Sequence, residues 1–188
     1  MKVFVCGSVD PRIKPEYLEG IDKIAEHLLA HNDGVMCVGA KTGSVGAMYN
    51  KMIEGDGFVD IIVPAPYAHE AAGMIANSIT QVETLFMLQQ VALKNTNATV
   101  VLPGGNGTLA ELYMITDSIK SGFDTDKVIV YNVNGFYQKI KDMNDFMLEA
   151  GVLNERQYKF FTWCNTADEV IAELDKSKEE LNRKNELR

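Results

Sequence analysis

The stretch that most constrains the fold spans residues 98–118, ATVVLPGGNGTLAELYMITDS. Residues 98–102 form a short β-branched apolar run of the kind that makes a strand covered on both faces, and Pro103 with Gly104, Gly105 and Gly107 ends it abruptly. A helix is expected at once. Thr108 is a good N-cap, Glu111 follows three residues later as in a capping box, and Leu109, Leu112, Tyr113, Ile115 and Thr116 carry helical spacing. Strand, glycine turn and helix together make an anion cradle. Glycine lets backbone N–H groups approach a phosphate closely, and the helix N-terminus favours its negative charge. Glu111 then sits one turn along, facing whatever the phosphate is attached to.

The rest of the chain repeats this alternation. Lys2–Cys6 reads as a first strand, broken by Gly7, Ser8 and Pro11 before a helix opened by Pro15 that carries Tyr17, Ile21, Ile24, Ala25, Leu28 and Leu29. A strand at 35–38 leads into a second glycine-rich turn, 39–46, and a helix with Val45, Met48, Met52 and Ile53. Strands follow at 58–63 and 79–82, with a weak helical segment at 70–76 between them and a helix at 84–93 before the central strand. A strand at 127–131, a helix from about 135 to 149, a strand at 160–164 and a charged terminal helix over about 166–188 complete the order. This pattern predicts one domain over 1–188: a Rossmann-like, doubly wound α/β fold with a mainly parallel sheet and helices on both faces. Ligands of such sheets sit at the carboxyl ends of the strands, where all three glycine turns gather.

Composition narrows the partners. A net charge of −8 offers no basic stripe for a nucleic-acid polymer, so a phosphate must be held by local backbone geometry. Cys6, Cys37 and Cys164 are an odd, widely spaced set without a CxxC pair, which reads as reduced thiols in strands. The opening MKVFVCGS reads as a strand and not as a signal peptide, and no run approaches the roughly 20 apolar residues of a membrane span. A cytoplasmic protein is expected. His27 and His31 lie four apart on a helix, but no third metal ligand is evident, so they read as a solvated face and no metal is expected.

Two nucleotide fingerprints are absent. The glycines at 39–46 are spaced GxxxGxxG, not GxGxxG, and no GxxxxGK[ST] stretch occurs, which argues against a nicotinamide dehydrogenase and a P-loop triphosphatase. A monophosphate or small nucleotide remains.

PGGNGTLAE at 103–111 resembles the PGGxGTxxE signature of the LOG (Lonely Guy) family, long labelled lysine decarboxylases. VCGS at 5–8, GAKTGSVGAM at 39–48 and IIVP at 61–64 extend the resemblance more loosely. It implies a homodimer that hydrolyses the N-glycosidic bond of nucleoside 5′-monophosphates, cytokinin ribotides among them, releasing base and ribose 5-phosphate without a cofactor. The 5′-phosphate is then expected on Gly104, Gly105, Asn106, Gly107 and Thr108, with Gly7, Ser8, Gly43 and Ser44 completing the pocket. Glu111 is the catalytic candidate, because N-glycoside cleavage develops positive charge on the ribose that a carboxylate stabilises. Its place in the first helical turn is expected to keep it ionised. The same residue also fits a capping box, and the glycine turn at 39–46 equally fits close helix packing.

One element of the family pattern is missing. The MxxRK element counts back from Pro103 to Leu88 and Gln89, so neither cation is present. This leaves hydrolysis with a borrowed cation such as Arg12 or Lys41, a non-catalytic nucleotide-binding or carrier protein, or ribosyl transfer to another acceptor. No lysine has the surroundings of a pyridoxal phosphate site, so the decarboxylase label finds no support. The apolar helix at 84–93 is the expected dimer contact.

Overall fold

The computed structural model describes residues 1–121 and 128–187. The first residue of the expected strand at 127–131 and the last residue of the tail lie outside them. Strands β1 (Lys2–Cys6), β2 (Gly34–Cys37), β3 (Val59–Pro64), β4 (Ser78–Val82), β5 (Ala98–Val101), β6 (Val128–Tyr131) and β7 (Phe161–Cys164) form one sheet in the order β4-β3-β2-β1-β5-β6-β7. Every pairing is parallel. The helices are α1 (Ile21–Ala30), α2 (Gly43–Glu54), α3 (Leu85–Asn95), α4 (Asn106–Lys120), α5 (Gln138–Glu149), α6 (Glu155–Tyr158) and α7 (Ala167–Glu186).

The centre of the sheet is covered twice. On β1, Val3 and Val5 enter one core with Ile24 and Leu28 of α1, Val45 and Met48 of α2, and Val170 and Leu174 of α7. Phe4 and Cys6 point the other way, into a core with Leu88 of α3, Leu112 and Ile115 of α4, and Tyr137. Burial on both faces is why β1 reads as an unbroken apolar run, and each fully buried aliphatic side chain contributes roughly 1.5–3 kcal/mol. The chain leaves β1 toward β2 on one side, while β5 begins the other half of the sheet. Their adjacent carboxyl ends therefore mark the topological switch point where open α/β sheets bind ligands.

The helices differ from expectation at their starts. The helix read from Pro15 is a 3-10 turn at Pro15–Tyr17 and then α1, because Gly20 between them adopts φ 76°. A side chain there would meet the Tyr131 hydroxyl and Ala167 at 2.5 and 2.9 Å. The segment expected at 70–76 is a 3-10 turn at Ala65–Ala71. The helix expected from 135 starts at Gln138, after a tight turn in which Asn134 has φ 50°. The short α6 was not expected; an Asn154/Gln157 capping box holds it. α4 begins at Asn106 with Gly105 as N-cap, so Thr108 lies inside the first turn and Glu111 is no capping-box partner. Thr108 is buried against Gly104 and unavailable as a cap, while the extended backbone of Gly105 (φ −88°, ψ −153°) makes the turn.

Cys6, Cys37 and Cys164 are buried in β1, β2 and β7. Among the described residues no helix is long and apolar enough to cross a membrane.

Candidate functional site

The ends of β1 and β5 are laced together at the switch point. Leu102 N–H donates to the Cys6 carbonyl at 2.8 Å, and Ser8 N–H donates to the Pro103 carbonyl at 3.0 Å and to Ser44 Oγ at 2.9 Å. Ser44 Oγ in turn donates to the Pro103 carbonyl at 2.7 Å. Gly104 packs so closely on this lacing that a Cβ would lie 2.8 Å from both Gly7 C and Ser8 N. Below it, the Tyr137 hydroxyl donates to the Leu102 carbonyl at 2.8 Å. Gly104 is thus glycine because backbone meets backbone.

Gly105 and Gly107 behave differently. A Cβ at either would touch nothing within 4 Å, and both residues are exposed together with Asn106. The first intrahelical bond of α4 runs from Leu109 N–H to the Gly105 carbonyl at 3.0 Å, and no side chain among the described residues caps the helix. Helix geometry leaves the N–H groups of Asn106, Gly107 and Thr108 without intrahelical acceptors, and no acidic residue occupies the first turn. This is an uncapped, positively polarised helix end opening beside the strand edge.

Ser8, Asp10, Arg12, Ile13, Gly104, Gly105 and Phe136 line an open cleft of about 360 Å³ at this end. Arg12 is its cation. Arg12 Nε donates to Asp10 Oδ1 at 2.9 Å and Nη2 to Oδ2 at 2.6 Å, and this pairing holds the Asp10 carboxyl down at about 2. Phe136 lays an aromatic edge across the other side, itself packed edge-to-face on Tyr17 at 4.8 Å.

The remaining expected residues fall around this centre. Gly43, at φ 73°, presses on the Ser8 carbonyl, and Val45 N–H bonds that carbonyl at 3.1 Å, so the start of α2 is docked on the Ser8–Val9 loop. Ser44 is fully buried with its hydroxyl engaged in both directions. The structure therefore brings Gly7, Ser8, Gly104, Gly105, Asn106, Gly107 and Thr108 together and places Gly43 and Ser44 behind them as braces. Lys41 is exposed on the turn preceding α2.

Glu111 lies on the second turn of α4, partly buried, and no described residue hydrogen-bonds or ion-pairs with its carboxylate. Burial lifts its carboxyl to about 7, which corrects the expectation of a permanently ionised group. Its charge is felt by the buried Cys6 thiol and the Tyr137 hydroxyl, both shifted upward chiefly by their own burial. Leu88 and Gln89 are both buried in α3, which packs on α4, so α3 presents no cation at those positions. Asp10, Phe136 and Tyr137 escaped the sequence reading because no motif spacing singles them out; the Pro11 turn and the run of aromatics at 136–137 were the available signals.

Residues 30–174 match the family model described as "possible lysine decarboxylase". The chain belongs to this family, the LOG family. One relative, the cytokinin riboside 5′-monophosphate phosphoribohydrolase LOG3 of Arabidopsis thaliana, is 24% identical over 171 residues, covering 90% of this chain and 79% of that protein. Among solved structures, the structural-genomics target TM1055 superposes with a TM-score of 0.67 at 17% identity, over 93% of this chain and 98% of that one. The molybdenum cofactor carrier protein of Chlamydomonas reinhardtii gives a TM-score of 0.67 at 13% identity, over 95% and 98%. These two structures share the fold.

Proposed function

We propose that this LOG-family chain is a nucleoside 5′-monophosphate phosphoribohydrolase. The observation that carries the reading is the Glu111 carboxyl, without a partner among the described residues and lifted to about 7, on the same helix as the uncapped N-terminus. The 5′-phosphate sits on the N–H groups of Asn106, Gly107 and Thr108, beside Gly104 and Gly105, with Gly7 and Ser8 as the adjoining wall. Arg12 supplies the charge-assisted contact that Leu88 and Gln89 lack; such contacts are worth about 1.5–3 kcal/mol. Water adds to ribose C1′ and gives its proton to Glu111 while the C1′–N bond breaks, its electron pair leaving with the base, which takes up a proton. The ionised Glu111 also faces the positive charge developing on the sugar. The names of the curated relatives support this reaction class.

A second reading, a non-catalytic nucleotide-binding or carrier protein, is favoured by the burial of Leu88 and Gln89 where the family carries cations. One experiment separates the two: incubation with a panel of nucleoside 5′-monophosphates, following free base and ribose 5-phosphate. Release abolished by Glu111→Ala supports the hydrolase; saturable binding without release supports the carrier.

The chain also forms a homodimer in this reading. Ile79 at the edge strand and Leu85, Phe86 and Met87 at the start of α3 are exposed together, and a second copy is the occupant that the family resemblance supplies. Sedimentation of the wild type and Phe86→Asp tests this; a monomeric wild type would remove the proposal. The buried free thiols of Cys6 and Cys37 support a reducing, cytoplasmic setting.

A further inference from the structure

Helices α1 and α7 lie side by side on the face of the sheet remote from α3 and α4. His27 in the last turn of α1 and His31 at its C-cap bring their rings to 4.2 Å between centroids. Asp175, from α7, reaches His27 Nε2 with Oδ1 at 2.9 Å. One ligand atom from each of the three lies within 4.8 Å of the others. The third ligand that neither helix contains alone is supplied by packing.

We propose that His27, His31 and Asp175 bind a divalent transition-metal ion of the zinc class, separate from the cleft at the strand ends. The hydrogen bonding prepares one ligand outright. His31 Nδ1 lies 2.8 Å from the His27 carbonyl, which can only accept, so the proton is on Nδ1 and the Nε2 lone pair is free for a metal. This is the orientation in which a backbone carbonyl fixes a ligating imidazole. His27 Nε2 and Asp175 Oδ1 now share a proton. An ion about 2.0–2.2 Å from each would take its place after the pair opens by a few tenths of an ångström and the donors that stand up to 4.8 Å apart close in by about 1 Å.

The donor set decides the ion. Two imidazoles and one carboxylate suit Zn²⁺ or Co²⁺, with water completing a tetrahedron, and suit Mg²⁺ or Ca²⁺ poorly. The charges around the site permit it. Lys178, on the next turn of α7, is held by both Asp33 oxygens at 2.9 Å and by the His31 carbonyl at 3.1 Å. Lys23 is held by Asp168 at 2.6 Å. Those two ion pairs already tie α7 to α1 and its C-terminal turn, and a bound ion would replace the His27–Asp175 hydrogen bond with a stronger third tie. Metal binding is therefore linked to the stability of the folded chain.

The test is titration of the metal-stripped full chain with Zn²⁺ by calorimetry and with Co²⁺ by visible absorption, alongside His31→Gln and Asp175→Asn. Expected are one ion per chain, an intense tetrahedral Co²⁺ spectrum, and binding weakened about tenfold or more in each variant. At about a hundredfold excess over Kd, Zn²⁺ should raise the wild-type melting midpoint by roughly 5–10 °C, and Mg²⁺ should not. His31 is exposed, so its variant folds, which melting without metal confirms. Absence of saturable binding, or binding equally tight in both variants, overturns the proposal.

Discussion

Ser44 Oγ donates to the Pro103 carbonyl at 2.7 Å while accepting from Ser8 N–H at 2.9 Å, so one buried hydroxyl joins the ends of β1 and β5. The two strand ends meet at the switch point, and their spacing sets the mouth of the cleft. Ser44→Ala removes both bonds without opening a large cavity. It should lower stability by about 1–3 kcal/mol, read from the midpoint of a urea titration at unchanged m. Nucleotide binding should weaken with it, because Gly104 rests on the same lacing.

The glycines of the turn should separate into two kinds. A methyl at Gly104 would fall 2.8 Å from the backbone of Gly7 and Ser8, so Gly104→Ala should destabilise by about 1–3 kcal/mol. A methyl at Gly107 meets nothing within 4 Å and lies in a helix, so Gly107→Ala should be neutral or stabilising by up to about 1 kcal/mol. Its affinity for inorganic phosphate should nevertheless fall, since the methyl crowds the open N–H groups. Equal phosphate binding by Gly107→Ala and the wild type would remove Gly107 from the proposed cradle.

How much of this was legible depends on how far apart the deciding residues lie. Lys2–Cys6 could be read as a strand because burial on both faces leaves a local mark, an apolar run. Pro103 and its glycines marked the turn for the same reason. Gly20 could not be read as a helix break, because the groups that crowd it, Tyr131 and Ala167, come from the far end of the chain. For Glu111 the local signal misleads: counting from Thr108 puts it in a favourable first turn. The helix starts at Asn106, and desolvation by burial governs its proton. Asp175 lies 148 residues from His27, so the histidine pair looked solvated until packing supplied the third group.

Gln89 is a buried amide with no hydrogen-bond partner for either Nε2 or Oε1 among the described residues. An unpaired buried amide costs about 1–3 kcal/mol, whereas an apolar side chain of similar volume has nothing to satisfy. Gln89→Met should therefore raise stability by about 1 kcal/mol, measured by chemical denaturation. If the amide serves a bound ligand instead, the same variant should lose nucleotide affinity, which a parallel binding titration would reveal. A destabilised Gln89→Met with unchanged binding would contradict both roles.

Glu111 gives a pH dependence with an unusual sign. Its carboxyl is raised from 4.5 to about 7, so between these values the folded chain holds a proton that the unfolded chain has released. Stability from this group therefore falls as pH rises through that window and is lowest above about 7, by up to roughly 2–3 kcal/mol. Glu111→Gln, which cannot ionise, should flatten the curve: it should match the wild type near pH 4.5 and exceed it at pH 8. Nucleotide hydrolysis should respond in the opposite sense, rising with pH through about 7 as the carboxylate forms and vanishing in the variant. Melting and rate profiles over pH 4.5–8.5 check both. If Glu111→Gln tracks the wild-type stability across the whole range, the carboxyl is not desolvated in the folded chain and its proposed part in taking the proton from water loses its physical basis.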